Sequence, residues 1–471
     1  MRDKATPPNV IVIICDQLRA FEVGCYGNEV VQTPNIDMLA REGVKFEVAC
    51  TNSPVCTPSR SSLLSGQYAR TCTGTVENCA EPSSVRVRLT DPTIAECFRA
   101  AGYSTAVIGK WHVDPDPGLV GFDQRVVPFW HHRNTGQTYS ENGGESRVVE
   151  GWAPEFEFDQ VQRYLLERPA DQPFFLYYSI SPPHMPLADA PTKYTRMYAP
   201  GDVPLRPNVT VNDRVAYDEE WFKIYLWDYL YYEKKAPHTQ TLPKDFDLRQ
   251  LSALYYGLTT WVDDLVGRLR DLLVKQEILQ DTLLVFLSDH GDNLGSHHRF
   301  NKGLVLEESI RIPLLFHWPS ALAPRCIDDR VVSVVDVMPT ILSLVGLPIP
   351  ASSQGADLGA LIHGEQEPVS HDGAFIETHF HEIGLRTSTH LYGVQLERAD
   401  DLPSRRVLDG GDVFFDLRTD PYQLDNLAFG GSQPTVASEL RARLLEWNQQ
   451  TPWGAAHALA PDPAAHGVAG G

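Results

Sequence analysis

Apolar residues in this chain come as short unbroken runs, separated by stretches in which they recur every three or four positions. The runs 9–14 (NVIVII), 173–180 (PFFLYYSI) and 282–287 (TLLVFL), with 103–108 (YSTAVI), lack the alternation of a half-wet strand. They predict strands buried on both faces of a parallel sheet, joined by 314–317 and 331–335. Helices are expected between them. Thr33 should cap a helix that Pro34 opens and Gly43 ends, and Asp91-Pro92 should open another that Gly102 closes. Residues 246–273 carry apolar positions near helical spacing, and Asp336 is placed to cap a helix over 337–345. Strands and helices in alternation give an α/β class, a large mostly parallel sheet sandwiched by helices.

After the GADLGALIHG segment at 355–364 the pattern changes. Short runs at 375–378, 384–387, 391–396 and 413–417 predict a small antiparallel sheet, and 434–449 one last helix. The expected division is therefore a catalytic α/β domain over 1–365, an α+β subdomain over 366–450, and a tail over 451–471. That tail, rich in Ala, Pro and Gly, is expected to be disordered from Trp453 onward. Residues 113–150 read as a long loop over the strand ends, with His131 and His132 facing solvent. Residues 200–245 read as an inserted helix and loop whose aromatics pack locally.

Composition narrows the function. Forty basic against sixty-one acidic residues give a net charge of −21, which argues against a nucleic-acid partner. Eight cysteines without a C-x-x-C pair do not make a disulfide framework in a chain of 471 residues. No run approaches the roughly 20 apolar residues of a membrane span. The opening MRDKATPPNVIVIICD has no cleavage pattern of a secretory signal, so a cytoplasmic protein without a membrane partner is expected.

The chemistry gathers where predicted strands end. Asp16 and Gln17 follow the first strand, at the edge where open α/β sheets bind ligands, although such an Asp is equally a helix cap or turn former. At 54–66 the chain reads PVCTPSRSSLLSG. Pro58 suits a first helical turn and Gly66 a helix stop, so Cys56 should lie just ahead of a helix N-terminus. Orphan N–H groups there, with Arg60 one turn on, should make the thiol more acidic than a free one. Three further strings follow predicted strands: Gly109-Lys110-Trp111-His112, Pro182-Pro183-His184-Met185-Pro186 and Ser288-Asp289-His290-Gly291-Asp292, the last leading to Lys302.

Together these strings resemble the sulfatase family, whose signature C-x-P-S-R-x-x-x-L-[ST]-G matches Cys56 through Gly66. The resemblance continues through GCYGN at 24–28 to FFDLRTDPYQLDNLA at 414–428, nearly the whole chain. It implies an alkaline-phosphatase-like fold and a sulfuric ester hydrolase cleaving an aryl or carbohydrate sulfate. It also implies a formylglycine made from Cys56 by a formylglycine-generating enzyme, and one divalent cation. Asp16, Gln17, Cys56, Asp289 and His290 are the implied ligands. Ca2+ is the expected ion, although Gln17 and His290 in place of further acidic or amide ligands leave Mg2+ and Mn2+ open. Lys110, His184 and Lys302 are implied to hold the substrate. His184 would protonate the leaving alcohol, His112 would accept the proton of the second step, and Arg60 would orient the nucleophile. His297 and His298 are expected outside the site.

Two alternatives remain beside a small sulfated substrate. A phosphonate, phosphate monoester or diester hydrolase could use the same groups, and a non-catalytic anion binder could keep Cys56 unmodified. A two-zinc enzyme is disfavoured, because no Ser or Thr nucleophile with a second His/Asp cluster is found.

Overall fold

A computed structural model of the chain describes residues 7–79, 82–129, 132–209, 247–365, 373–398, 405–429 and 435–454. The expectations for His131, for 210–245 and for the tail beyond 454 lie outside these residues.

The large sheet contains eleven strands. In chain order they are β1 (Asn9–Asp16), β2 (Val44–Cys50), β3 (Ser104–Gly109), β4 (Gln124–Pro128), β5 (Thr138–Glu141), β6 (Arg147–Val148) and β7 (Phe174–Pro183). Then follow β8 (Thr282–Ser288), β9 (Arg311–Ile312), β10 (Leu314–His317) and β11 (Arg325–Ser333). The spatial order is β11-β2-β10-β8-β1-β7-β3-β4-β5-β6, with β9 on β2. The central strands β8, β1, β7 and β3 all run parallel. Strand β10 runs antiparallel between β8 and β2, which makes the sheet mixed.

The apolar run of β1 explains its central position. Val10, Val12 and Ile14 enter the core on one face, while Ile11, Ile13 and Cys15 enter the core on the other. All are at most 1% exposed, as a strand covered by helices on both sides requires. The longer helices among the described residues are α1 (Pro34–Glu42), α2 (Cys56–Ser65), α3 (Ile94–Ala100), α4 (Ala153–Glu167), α5 (Arg249–Lys275), α6 (Val337–Leu344) and α7 (Thr435–Gln450). Helices α1, α4 and α5 cover the Ile11 face, and α2, α3 and α6 the Val10 face.

Several expectations need correction. Residues 113–150 are not one loop, because β4, β5 and β6 extend the sheet there. Their alternating polar residues belong to an edge that is half-exposed. Thr33 stands at the α1 N-cap, but its hydroxyl accepts from the Gly24 N–H instead. Asp263 of α5 takes the capping role, accepting from the Asn35 and Ile36 N–H groups at 2.9 and 2.8 Å. Helix α3 begins after Thr93, through a capping box with Glu96, and not at Asp91-Pro92.

A second, four-stranded antiparallel sheet follows: β12 (Ala374–Glu377), β13 (Glu382–Arg386), β14 (His390–Gln395) and β15 (Val413–Asp416). Helix α7 packs Ala437, Leu440, Leu444 and Trp447 against Ile383, Leu385, Tyr392 and Phe414 of this sheet. Trp453, expected in a disordered tail, instead lies against the Arg70 guanidinium at 4.9 Å. No helix among the described residues is long and apolar enough to cross a membrane.

Candidate active site

Strands β1, β3, β7 and β8 run parallel, so their carboxyl ends open on one edge of the sheet. Each ends in one of the polar strings read from the sequence. Helix α2 points its N-terminus at the same edge, with Val55 as N-cap and Cys56 as first helical residue. Every residue of α2 is buried, and Gly66 ends it in the left-handed region at φ 65°.

Four charged or polar groups converge on the Cys56 sulfur. Its Sγ lies 3.3 Å from His290 Nε2, 3.3 Å from Lys302 Nζ, 3.4 Å from Lys110 Nζ and 3.7 Å from Asp16 Oδ1. Burial and Asp16 push the thiol up, but Lys110, Lys302 and His290 outweigh them and bring it down to about 5. The acidity expected from the sequence is present, with a different cause. Arg60 does not aim at the sulfur. Its Nε donates to Asp289 Oδ2 at 2.8 Å and its Nη1 to Ser179 Oγ at 2.7 Å and the Lys110 carbonyl at 3.3 Å.

Asp16 pairs through Oδ2 with the Lys110 ammonium, both side chains fully buried. Burial opposes its charge, yet Lys110, with His184, Lys302 and Arg60, holds the carboxyl well below the usual range. Lys110 is delivered by Gly109, whose φ of 95° brings the backbone against the Ser179 carbonyl; a Cβ there would meet that oxygen at 1.9 Å.

A divalent cation suits this donor set. Asp16, Cys56, Asp289 and His290 each present a ligand atom within 4.8 Å of the others. His290 Nδ1 lies 2.9 Å from the Gly291 carbonyl and donates to it, which leaves the lone pair on Nε2. That lone pair faces Asp16 Oδ1 and Asp289 Oδ1, each at 3.6 Å. Three electron-rich groups turned toward one point call for a positive charge between them. Gln17 is beside this group but engaged elsewhere: Oε1 accepts from Lys302 at 2.7 Å, and Nε2 donates to Asp292 Oδ2 at 2.5 Å. Its backbone N–H donates to Asp289 Oδ1 at 3.0 Å.

The histidines form the wall opposite. His184 stacks on His132 with ring centroids 3.9 Å apart, and His132 Nδ1 lies 3.4 Å from Lys110 Nζ. His132 is thus part of the site and does not face solvent as expected. Nothing in its loop sequence marks it; the sheet extension by β4 and β5 is what folds it back. His184 donates from Nδ1 to the Met185 carbonyl at 2.6 Å, so Nε2 is the accepting nitrogen. His112, at φ 48°, donates from Nε2 to the Cys79 carbonyl at 3.1 Å. Burial, with Lys302 for His184 and Lys110 for His112, pushes both imidazoles well below their usual value. Asp292 was also passed over, although it stands two residues after His290 in the same string. His297 lies away from the sulfur as expected, against Asn208 and Glu308.

A profile of the sulfatase family matches residues 8–347, and one for the N-sulphoglucosamine sulphohydrolase C-terminal region matches 295–450. The chain belongs to the sulfatase family. An ulvan-active sulfatase of Formosa agariphila is 29% identical to it over 94% of this chain and 81% of its own length. An arylsulfatase of Clostridium perfringens is 30% identical over 89% of this chain and 90% of its own. Among solved structures, one described as in complex with its substrate D-glucosamine-2-N,6-O-disulfate superposes with a TM-score of 0.76 at 22% identity. It covers 94% of this chain and 98% of its own, and at that identity it speaks to the fold.

Proposed function

We propose that this sulfatase hydrolyses an aryl or carbohydrate sulfate ester through a formylglycine made from Cys56, with a divalent cation, Ca2+ by the family's habit, held beside it. The observation that carries the reading is the set of four contacts on the Cys56 sulfur, two of them from lysine ammonium groups. Hydrated formylglycine at position 56 would supply a hydroxyl nucleophile; its formation would need a formylglycine-generating enzyme. A cation on Asp16, Asp289 and His290, with Gln17 at its edge, would supply charge that polarises a sulfate and acidifies that hydroxyl.

The remaining work falls to side chains. Lys110 and Lys302 flank the sulfur on fixed backbones and can hold the sulfate oxygens as charge builds on them. Asp289, steered by Arg60, is placed to accept the nucleophile's proton. His112 keeps Nδ1 as its accepting nitrogen, as a base for the second step requires. Burial and Lys302 hold the His184 imidazole well below its usual value. An arriving sulfate partly neutralises Lys302 and restores the imidazole's affinity for the proton it gives to the leaving alcohol. The 1–365 catalytic domain would supply all ten of these residues and the 366–450 subdomain would wall the approach.

Steady-state rates on sulfate, phosphonate and phosphodiester esters of one phenol test the reading. The sulfate ester should have the highest kcat/KM, and chelation should abolish its turnover. A phosphonate or phosphodiester preferred over sulfate would assign the site to that chemistry instead.

A further inference from the structure

A cavity of about 1000 Å³ opens against Lys302 and Val55, immediately outside the buried sulfur. That is the upper end of the ~300–1,000 Å³ range of small-molecule sites and far more than one sulfated phenol fills. Its far wall comes from the small sheet. The turn between β12 and β13 brings His379 and Phe380 over Gly303, where a Cβ would meet His379 Cε1 at 2.3 Å and Phe380 Cε2 at 2.7 Å. Gly303, at φ 100°, therefore fixes this turn against the Lys302 loop.

The lining mixes apolar side chains with charged ones. Phe380 is 44% exposed at this cavity, with His379 against its ring at 3.9 Å. Arg299 and Arg398 also line the cavity, both exposed. Neither side chain makes an ion pair among the described residues. Glu397 is already paired with Arg406 at 3.0 Å, and burial pushes the Glu382 carboxyl up while the Val305 backbone and the Arg299 guanidinium pull it back. With Glu397 matched by Arg406, Glu77 and Glu382 stand against Arg299, Arg398 and Lys302 in a chain of net charge −21. In a chain that is acidic overall, two exposed guanidinium groups with no ion pair among the described residues, set beside the candidate reaction centre, favour an anion there.

Resting on the sulfatase reading above, we propose that this cavity binds the alcohol portion of the substrate as a saccharide that carries a second anionic group. Phe380 stacks on a sugar ring, and Arg299 and Arg398 pair with the second anion, a carboxylate. The leaving group is then an acidic oligosaccharide unit, and Arg299 and Arg398 are specificity determinants.

The test compares a sulfated disaccharide bearing a free uronate with the same disaccharide as its uronate methyl ester. The enzyme without substitutions should favour the free acid in kcat/KM by about tenfold or more, the size of one charge-assisted contact. Arg299→Gln and Arg398→Gln should each cut that ratio several-fold, chiefly through KM, and Arg398→Glu should invert it. Equal rates on acid and methyl ester, or a preference that survives both Gln substitutions, would overturn the proposal. Nitrophenyl sulfate separates the two levels. No turnover on it or on either disaccharide would remove the sulfatase reading and this inference with it, whereas turnover without acid selectivity would remove only the inference.

Discussion

At the scale of single residues the site works by opposing charges confined in a dry space. Cys56 is 1% exposed, yet two ammonium groups and an imidazole lie within 3.4 Å of its sulfur. A sulfate ester can displace those contacts only by offering oxygens to the same cations. His184 supplies the asymmetry between good and poor leaving groups, since a nitrophenolate departs without a proton and a sugar alkoxide does not. His184→Ala should slow alkyl or sugar sulfates by about 100-fold and nitrophenyl sulfate by less than about tenfold. Equal losses on both, read from kcat/KM, would show that the imidazole does not protonate the leaving group.

At the scale of elements the sequence was most legible where strands are buried on both faces. The NVIVII, PFFLYYSI and TLLVFL runs end within three residues of where β1, β7 and β8 end, because an unbroken apolar run can only be satisfied in the sheet centre. Most of the residues proposed for the site stand just past such a run or on α2 in a distinctive string, while Lys302 lies fourteen residues beyond the end of β8. What the sequence hid depends on contacts far apart in the chain. Asp263 caps α1 from 226 positions past its residue Asp37, and Thr33 looks a better cap from local spacing alone. Strands β4 to β6 carry mixed polarity because they form the sheet's edge, so periodicity did not separate them from loop. His132 enters the site only once that edge is folded.

One buried group between α4 and this edge makes a pH prediction. Glu157 on α4 accepts a hydrogen bond from Tyr139 of β5 at 2.7 Å, and burial pushes its carboxyl up to about 8. Between its ordinary value of 4.5 and 8 the folded chain therefore holds a proton that the unfolded chain has released. Stability should fall as pH rises through this window, by roughly 1.4 kcal/mol per unit, and level off above it. Glu157→Gln should flatten the fall, measured as denaturant midpoints from pH 5 to 8. An unchanged slope in the variant would assign the pH dependence to other groups.

At the scale of the whole molecule, the small sheet is tied to the catalytic sheet close to the nucleophile. Arg70, a few residues after α2, pairs with Glu377 of β12, both side chains buried, and its guanidinium also lies over Trp447 of α7 at 4.6 Å. Breaking a buried pair on one side leaves an uncompensated charge, so Glu377→Gln should cost about 3–5 kcal/mol in denaturant unfolding. A loss below about 1 kcal/mol would mean that the two sheets are held by apolar contact alone. This coupling places the β12–β13 turn beside Lys302 and gives the acidic-saccharide cavity its far wall. Everything upstream of that cavity depends on what residue 56 has become. The most direct measurement is the mass of the peptide spanning residues 51–60 from a preparation that turns over nitrophenyl sulfate. The account predicts a peptide about 18 Da lighter than the cysteine form, the thiol having been replaced by an aldehyde. A fully active preparation whose peptide retains an intact Cys56 thiol would contradict it.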